Sequence, residues 1–118
     1  MSGEISNLFT VVVKYGKFDE FKKLVSQIVD RVRKEPGTLV YEYSVADDEN
    51  VVHIFERYSD DNALVSHAEE TFSPFAEQFL NLVNMKSLVV YGTPAGKARN
   101  ILDGFGAVYL TPFDGLTR

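Results

Sequence analysis

The chain has 118 residues, which is one domain's worth of sequence. Hydrophobic residues make up 45%, with nine Phe, six Tyr and no Trp, and that excludes an intrinsically disordered chain. Twelve Lys+Arg against seventeen Asp+Glu give a net charge of −5 with no basic run, so no nucleic-acid partner is expected. The absence of cysteine excludes disulfides, thiolate metal sites and a Cys nucleophile. With only His53 and His67 present, a multi-histidine metal site would need two chains, and neither a metal nor a cofactor is expected. The Met1–Glu4 start does not read as a signal peptide, and no apolar run approaches the roughly 18 residues of a membrane span. The expectation is a cytoplasmic protein with no membrane partner.

Residues 5–15 are rich in β-branched and aromatic types and predict a strand ending at Gly16. From Phe18 the period changes: Phe18, Phe21, Leu24, Val25, Ile28, Val29 and Val32 fall on one helical face, and Pro36-Gly37 stops the helix. Residues 38–46 and 51–58 predict two strands joined by the polar loop Asp47–Asn50. If four residues stay out of the ladder, Tyr43 faces Ile54, Tyr41 faces Glu56 and Leu39 faces Tyr58. One face of this hairpin is then aromatic with a single carboxylate, Glu56, and the other carries Val40, Glu42, Ser44, His53, Phe55 and Arg57.

Ser59-Asp60-Asp61 predicts the cap of a second helix over about 61–71, and Ser73-Pro74 its restart, with Phe75, Phe79, Leu82 and Val83 as the apolar stripe. A fourth strand follows over about 86–91. The order βαββαβ is that of the ferredoxin-like α+β unit, a four-stranded antiparallel sheet with both helices on one face. It divides the chain into a domain over residues 1–92 and a C-terminal extension over 93–118, where residues 95–103 predict a short helix and 107–111 a short strand. The bare face of such a sheet would expose Val40, Val51 and Phe55 within roughly several hundred Å² of partly apolar surface. A homodimer that buries it is the simplest expectation.

The run Glu35-Pro36-Gly37-Thr38-Leu39-Val40-Tyr41-Glu42, then Asp47-Asp48, then Ile54–Leu64, then His67, resembles the antibiotic biosynthesis monooxygenase (ABM) family over about residues 5–91. The resemblance implies a dimeric α+β barrel with a pocket in each subunit between sheet and helices. It also implies cofactor-independent oxygenation of phenols and quinols by molecular oxygen, although relatives include haem-degrading enzymes and an isomerase of a phosphorylated sugar. The Trp typical of the haem-degrading relatives is replaced by Tyr58.

Two residues are candidates for catalysis. His67, the single histidine on the second helix, has the chemistry of a general base near neutral pH; its ordinary alternative is a helix-surface histidine with no role. Glu56 is a carboxylate on an aromatic face, suited to proton transfer if burial raises its pKa, or otherwise a structural hydrogen-bond acceptor. For substrate binding, Tyr43 and Tyr58 offer flat walls with hydroxyl tips, and Phe9, Phe72 and Phe75 could complete an apolar cavity. Core packing is the ordinary alternative for the Phe residues and for Tyr43.

Gly92–Lys97 has the wrong spacing for a phosphate loop, and Asp47-Asp48-Glu49 reads as a solvated turn. The leading expectation is a cofactor-independent monooxygenase-like enzyme acting on a small aromatic or quinol substrate with O2. The alternatives are a non-catalytic ligand-binding or stress-associated dimer, and an isomerase of a small carbonyl compound, phosphorylated or not.

Overall fold

The computed structural model describes residues 3–118. Its core is the expected unit. Strand β1 (Ile5–Val13) leads to helix α1 (Phe18–Val32), then to the hairpin β2 (Thr38–Val45) and β3 (Val51–Tyr58). A helical run follows, made of α2 (Asp61–Ser66), a π-helical stretch (His67–Phe72), a 3-10 turn (Ser73–Phe75) and α3 (Ala76–Leu82). Strand β4 (Val83–Tyr91), helix α4 (Gly96–Asp103) and strand β5 (Val108–Leu110) complete the chain.

The sheet has five strands in the order β2-β3-β1-β4-β5, rather than the four antiparallel strands expected. The first four are antiparallel, while β5 adds to β4 in parallel, pairing Val89 with Val108 and Tyr91 with Leu110. The parallel sense follows from α4, a helical crossover that returns the chain to the end of the sheet from which β4 began. The extension is therefore structurally part of the sheet.

The helices cover one face. Phe21, Leu24, Ile28 and Val32 of α1 pack on Val11, Val13, Val52 and Ile54, together with Phe79 and Leu82. At the other end Ala98 and Leu102 of α4, with Leu64, cover Ile5, Tyr58, Leu88 and Val90. The opposite face stays open, with Leu8, Val12, Phe55 and Val89 half-buried and Val108 and Leu110 exposed.

The hairpin register is as expected at Tyr43↔Ile54 and Tyr41↔Glu56, but not at Leu39. A bulge between Thr38 and Val40 sets Thr38 opposite Tyr58 and leaves Leu39 half in solvent. A bulge inserts one unpaired residue, so the alternation shifts on its far side.

Asp60 caps α2 as expected, its carboxylate accepting from the Ala63 amide at 2.8 Å. A 3-10 turn does begin at Ser73 with Pro74 in its first positions, but Ser73 is not its cap. The Ser73 backbone is already helical, and its hydroxyl donates to the Glu69 carbonyl at 2.6 Å. The chain instead passes Pro74 through a π turn and a 3-10 turn, which accommodates a ring that an α-helix interior would reject. Val83, expected on the helical stripe, opens β4.

α1 stops at Val32, ahead of Pro36-Gly37, and Gly37 serves a different purpose. A Cβ there would lie 2.6 Å from the Ala63 Cβ and 3.1 Å from the Ser59 hydroxyl, so α2 approaches the β2 entrance as closely as a bare backbone allows. Gly37→Ala is expected to destabilise the fold by about 1–3 kcal/mol in urea unfolding, as overpacking does. Asp60→Ala, which removes only a cap, is expected to cost about 1 kcal/mol. Equal effects of the two would show that the Gly37–Ala63 approach is not a tight one.

Candidate active site

Between the helices and the sheet lies a hollow of about 60 Å³. Its floor comes from the alternation of β1, β2 and β3, which turns Asn7, Phe9, Tyr41, Tyr43, Ile54, Glu56 and Tyr58 to one side. Its walls are His67, Ala68 and Phe72 from the π-helical stretch, and Phe79 and Leu80 from α3. The extension adds Ile101, Leu102 and Phe105. The lining is almost wholly apolar, and its polar groups are gathered on the Asn7–Glu56–His67 side.

His67 is buried, with 8% of its side chain exposed. Its Nδ1 lies 3.1 and 3.2 Å from the two carboxylate oxygens of Glu35, in the turn that follows α1. Thr38 donates to the same carboxylate at 2.7 Å. Burial works to raise the Glu35 pKa, yet hydrogen bonds, led by that from His67, outweigh it and hold the carboxyl below its ordinary value. With Nδ1–H donating to Glu35, the neutral imidazole carries its lone pair on Nε2. The ring is further fixed against Tyr41, Tyr58 and Phe72, with centroids 5.1, 5.6 and 6.2 Å away.

Glu56 sits across the floor and is 6% exposed. The Tyr58 hydroxyl donates to it at 2.6 Å. Burial raises its pKa, and the opposing influences of His67, Tyr58 and Asn7 do not cancel that. Asn7 is its ladder partner on β1 and is 2% exposed. The Asn7 Oδ1 is fully buried with no hydrogen-bond partner among the described residues, so an acceptor stands idle at the edge of the hollow. Tyr41 and Tyr43 share a 2.8 Å hydrogen bond between their hydroxyls, and burial pushes both pKa values up.

Of the residues expected from sequence, His67, Glu56, Tyr58, Tyr43, Phe9 and Phe72 line this one hollow. Phe75 does not. The non-α turns between Phe72 and α3 rotate it toward α1, where the Arg31 guanidinium lies 5.2 Å from its ring. Two residues were missed in the sequence. Asn7 was readable as a lone amide on the apolar face of a strand, opposite Glu56. Glu35 was not, because its partner lies 32 residues away. Among the described residues no group of three or more His, Asp and Glu is placed to hold a metal ion.

A family model for antibiotic biosynthesis monooxygenases matches residues 5–83, two-thirds of the chain. The chain belongs to this family. Among solved structures, MupZ from Pseudomonas fluorescens superposes at a TM-score of 0.88 with 20% identity, over 100% of this chain and 91% of its own. A candidate antibiotic biosynthesis monooxygenase from Bacteroides thetaiotaomicron gives 0.65 with 28% identity, over 73% and 85%. SnoaB from Streptomyces nogalater, described as a cofactor-independent oxygenase, gives 0.67 with 16% identity, over 81% and 98%. No curated protein sequence matches the chain. The family match stops where β4 begins, so the α4–β5 unit of this ABM protein lies outside the family pattern, while the MupZ superposition runs through it.

The two carboxyls should respond to pH with opposite sign. Glu35, whose pKa is lowered on folding, contributes stability above its unfolded value of about 4.3 that is lost as pH falls through the folded value. Glu56, whose pKa is raised, favours the folded state below about 4.3, and this contribution is lost as pH rises to the folded value. Chemical unfolding across acid pH is expected to show Glu35→Gln with a flatter rise of stability than the parent, and Glu56→Gln with a steeper one. A shared direction for the two variants would refute the assignment.

Proposed function

We propose that the protein is a cofactor-independent monooxygenase that oxidises a small aromatic or quinol substrate with O2, working as a homodimer paired through the open face of its sheet. The observation that carries the reading is the Glu35–His67 pair on the wall of an otherwise apolar hollow. Kinship with a family that includes a cofactor-independent oxygenase supports it.

The chemistry asks little of the protein beyond proton handling. His67 Nε2 accepts the proton of the substrate hydroxyl, and Glu35 holds the ring in that tautomer and stabilises the imidazolium formed. The apolar surroundings leave the resulting oxyanion poorly solvated and electron-rich, which favours electron transfer to O2. A second hydroxyl, such as a quinol has, can donate to the idle Asn7 Oδ1. Glu56, kept closer to its neutral form than an exposed carboxyl, can return a proton to the peroxide. For a phenol, one oxygen atom becomes the new ring carbonyl and the other leaves as water. The ring supplies the electrons, so no other reductant enters.

The isomerase reading finds less support, because among the described residues no Lys or Arg lines the hollow to meet a phosphate. The ligand-binding dimer is the reading the assay must separate. With hydroquinone as substrate, oxygen uptake is expected, slowed about 10²–10⁴-fold by His67→Ala. Hydroquinone binding without uptake, unaffected by His67→Ala, would overturn the oxygenase in favour of the binding dimer. Light scattering is expected to give twice the 13.3 kDa chain mass, and Phe55→Asp on the open face to lower it toward the monomer.

A further inference from the structure

We infer that Phe105, on the C-terminal extension, is the removable wall of the hollow and sets the size of ligand it admits. This rests on reading the hollow as the ligand site but not on oxygen chemistry. At about 60 Å³ the hollow is smaller than the roughly 150 Å³ of an engineered apolar cavity that accepts benzene. Some wall must therefore yield before even one ring enters.

Most walls are fixed. Asn7, Ile54 and Glu56 belong to the central ladder, and Tyr58 is wholly buried with its hydroxyl on Glu56. Phe72 and Phe79 pack on each other at 5.2 Å, and Phe79 in turn on Phe21 at 5.4 Å. Two large lining side chains face solvent, Leu80 at 42% and Phe105 at 39% exposure, and they mark the mouth. Leu80 is held within α3. Phe105 lies in the turn between α4 and β5, flanked by Gly104 and by Gly106, whose φ of +73° is one that glycine adopts at little cost. Its ring meets Phe9 edge-on at 5.6 Å and so closes the hollow from the β1 side.

The helix carrying this turn is well anchored. Ala98 and Leu102 are buried against the sheet, and Lys97 pairs with Glu69 at 3.0 Å. The backbone of the turn is tied to the same helix, Phe105 N–H donating to the Leu102 carbonyl and Gly106 N–H to the Asp103 carbonyl, both at 3.0 Å, so it is the half-exposed Phe105 side chain that can swing about its own torsions while α4 stays in place. Because this residue lies beyond the family match, it belongs to the part of the chain where substrate choice can vary without touching the proton-handling groups.

The test compares binding of phenol and 1-naphthol, one ring against two, by calorimetry. Phe105→Ala is expected to shift the affinity ratio toward 1-naphthol about tenfold, with Phe105→Leu in the same direction and serving where the alanine variant folds poorly. Phe105→Trp, the only indole in a chain without Trp, is expected to shift the ratio toward phenol and to change its emission when phenol binds. An unchanged ratio in folded Phe105→Ala or Phe105→Leu overturns the inference, as does failure of both probes to bind any form. A shifted ratio with no oxygen uptake would leave the inference standing and remove the oxygenase. Uptake with an unshifted ratio would do the reverse.

Discussion

A buried histidine bridged to a carboxylate 32 residues earlier in the chain holds the candidate site together. Without the other, each partner's burial would be less well compensated, and the two meet where little water competes. The fold meets this demand from both sides. Glu35 is fixed by Thr38 at 2.7 Å, in a turn that Gly37 brings against α2. His67 is fixed by the π-helical stretch and by the rings of Tyr41, Tyr58 and Phe72. The positioning of the imidazole therefore depends on a helix-end turn, a strand entrance and an irregular helix at once. A change at any of them is felt at Nε2.

Environment then divides the labour between two residues of the same type. Glu35 lies among donors and is held in its charged form, whereas Glu56 lies in the sheet floor and is drawn toward its neutral form. Pairs of titratable groups pushed in opposite directions are a recurring arrangement for separating base from acid. In the proposed mechanism the carboxylate beside the imidazole would support proton acceptance and Glu56 would support proton return. Burial also raises the pKa values of Tyr41, Tyr43 and Tyr58, whose hydroxyls are engaged with each other or with Glu56.

Where local periodicity decides the structure, the sequence was legible. The change from strand to helix at Phe18, the hairpin register at Tyr43↔Ile54 and the cap at Asp60 all follow from a few neighbouring residues. Glu56 could be placed on the aromatic face for the same reason. The failures share a cause as well. A bulge at Leu39 and the π turn before Phe75 each break the period on which side-chain direction was inferred, so Leu39 and Phe75 point elsewhere than their spacing suggests. The Glu35–His67 pair is a tertiary event with no local signature. The parallel sense of β5 was equally hidden, since it is set by where α4 packs and not by the composition of residues 108–110.

The irregular helix and the extension solve one problem together. A regular α-helix over residues 61–82 would lay its apolar stripe evenly on the sheet, and a close-packed interior of that kind leaves no room for a ligand. The widened π turn changes the angular spacing between His67, Phe72 and Phe75, which sends Phe75 to α1 while His67 and Phe72 remain over the floor. A gap results, open toward solvent beside Leu80. The α4–β5 unit closes that open end with Ile101, Leu102 and Phe105 and completes the edge of the sheet in the same stroke. The polar groups of the hollow all come from residues within the family match, whereas its apolar lining is shared between that match and the α4–β5 unit beyond it.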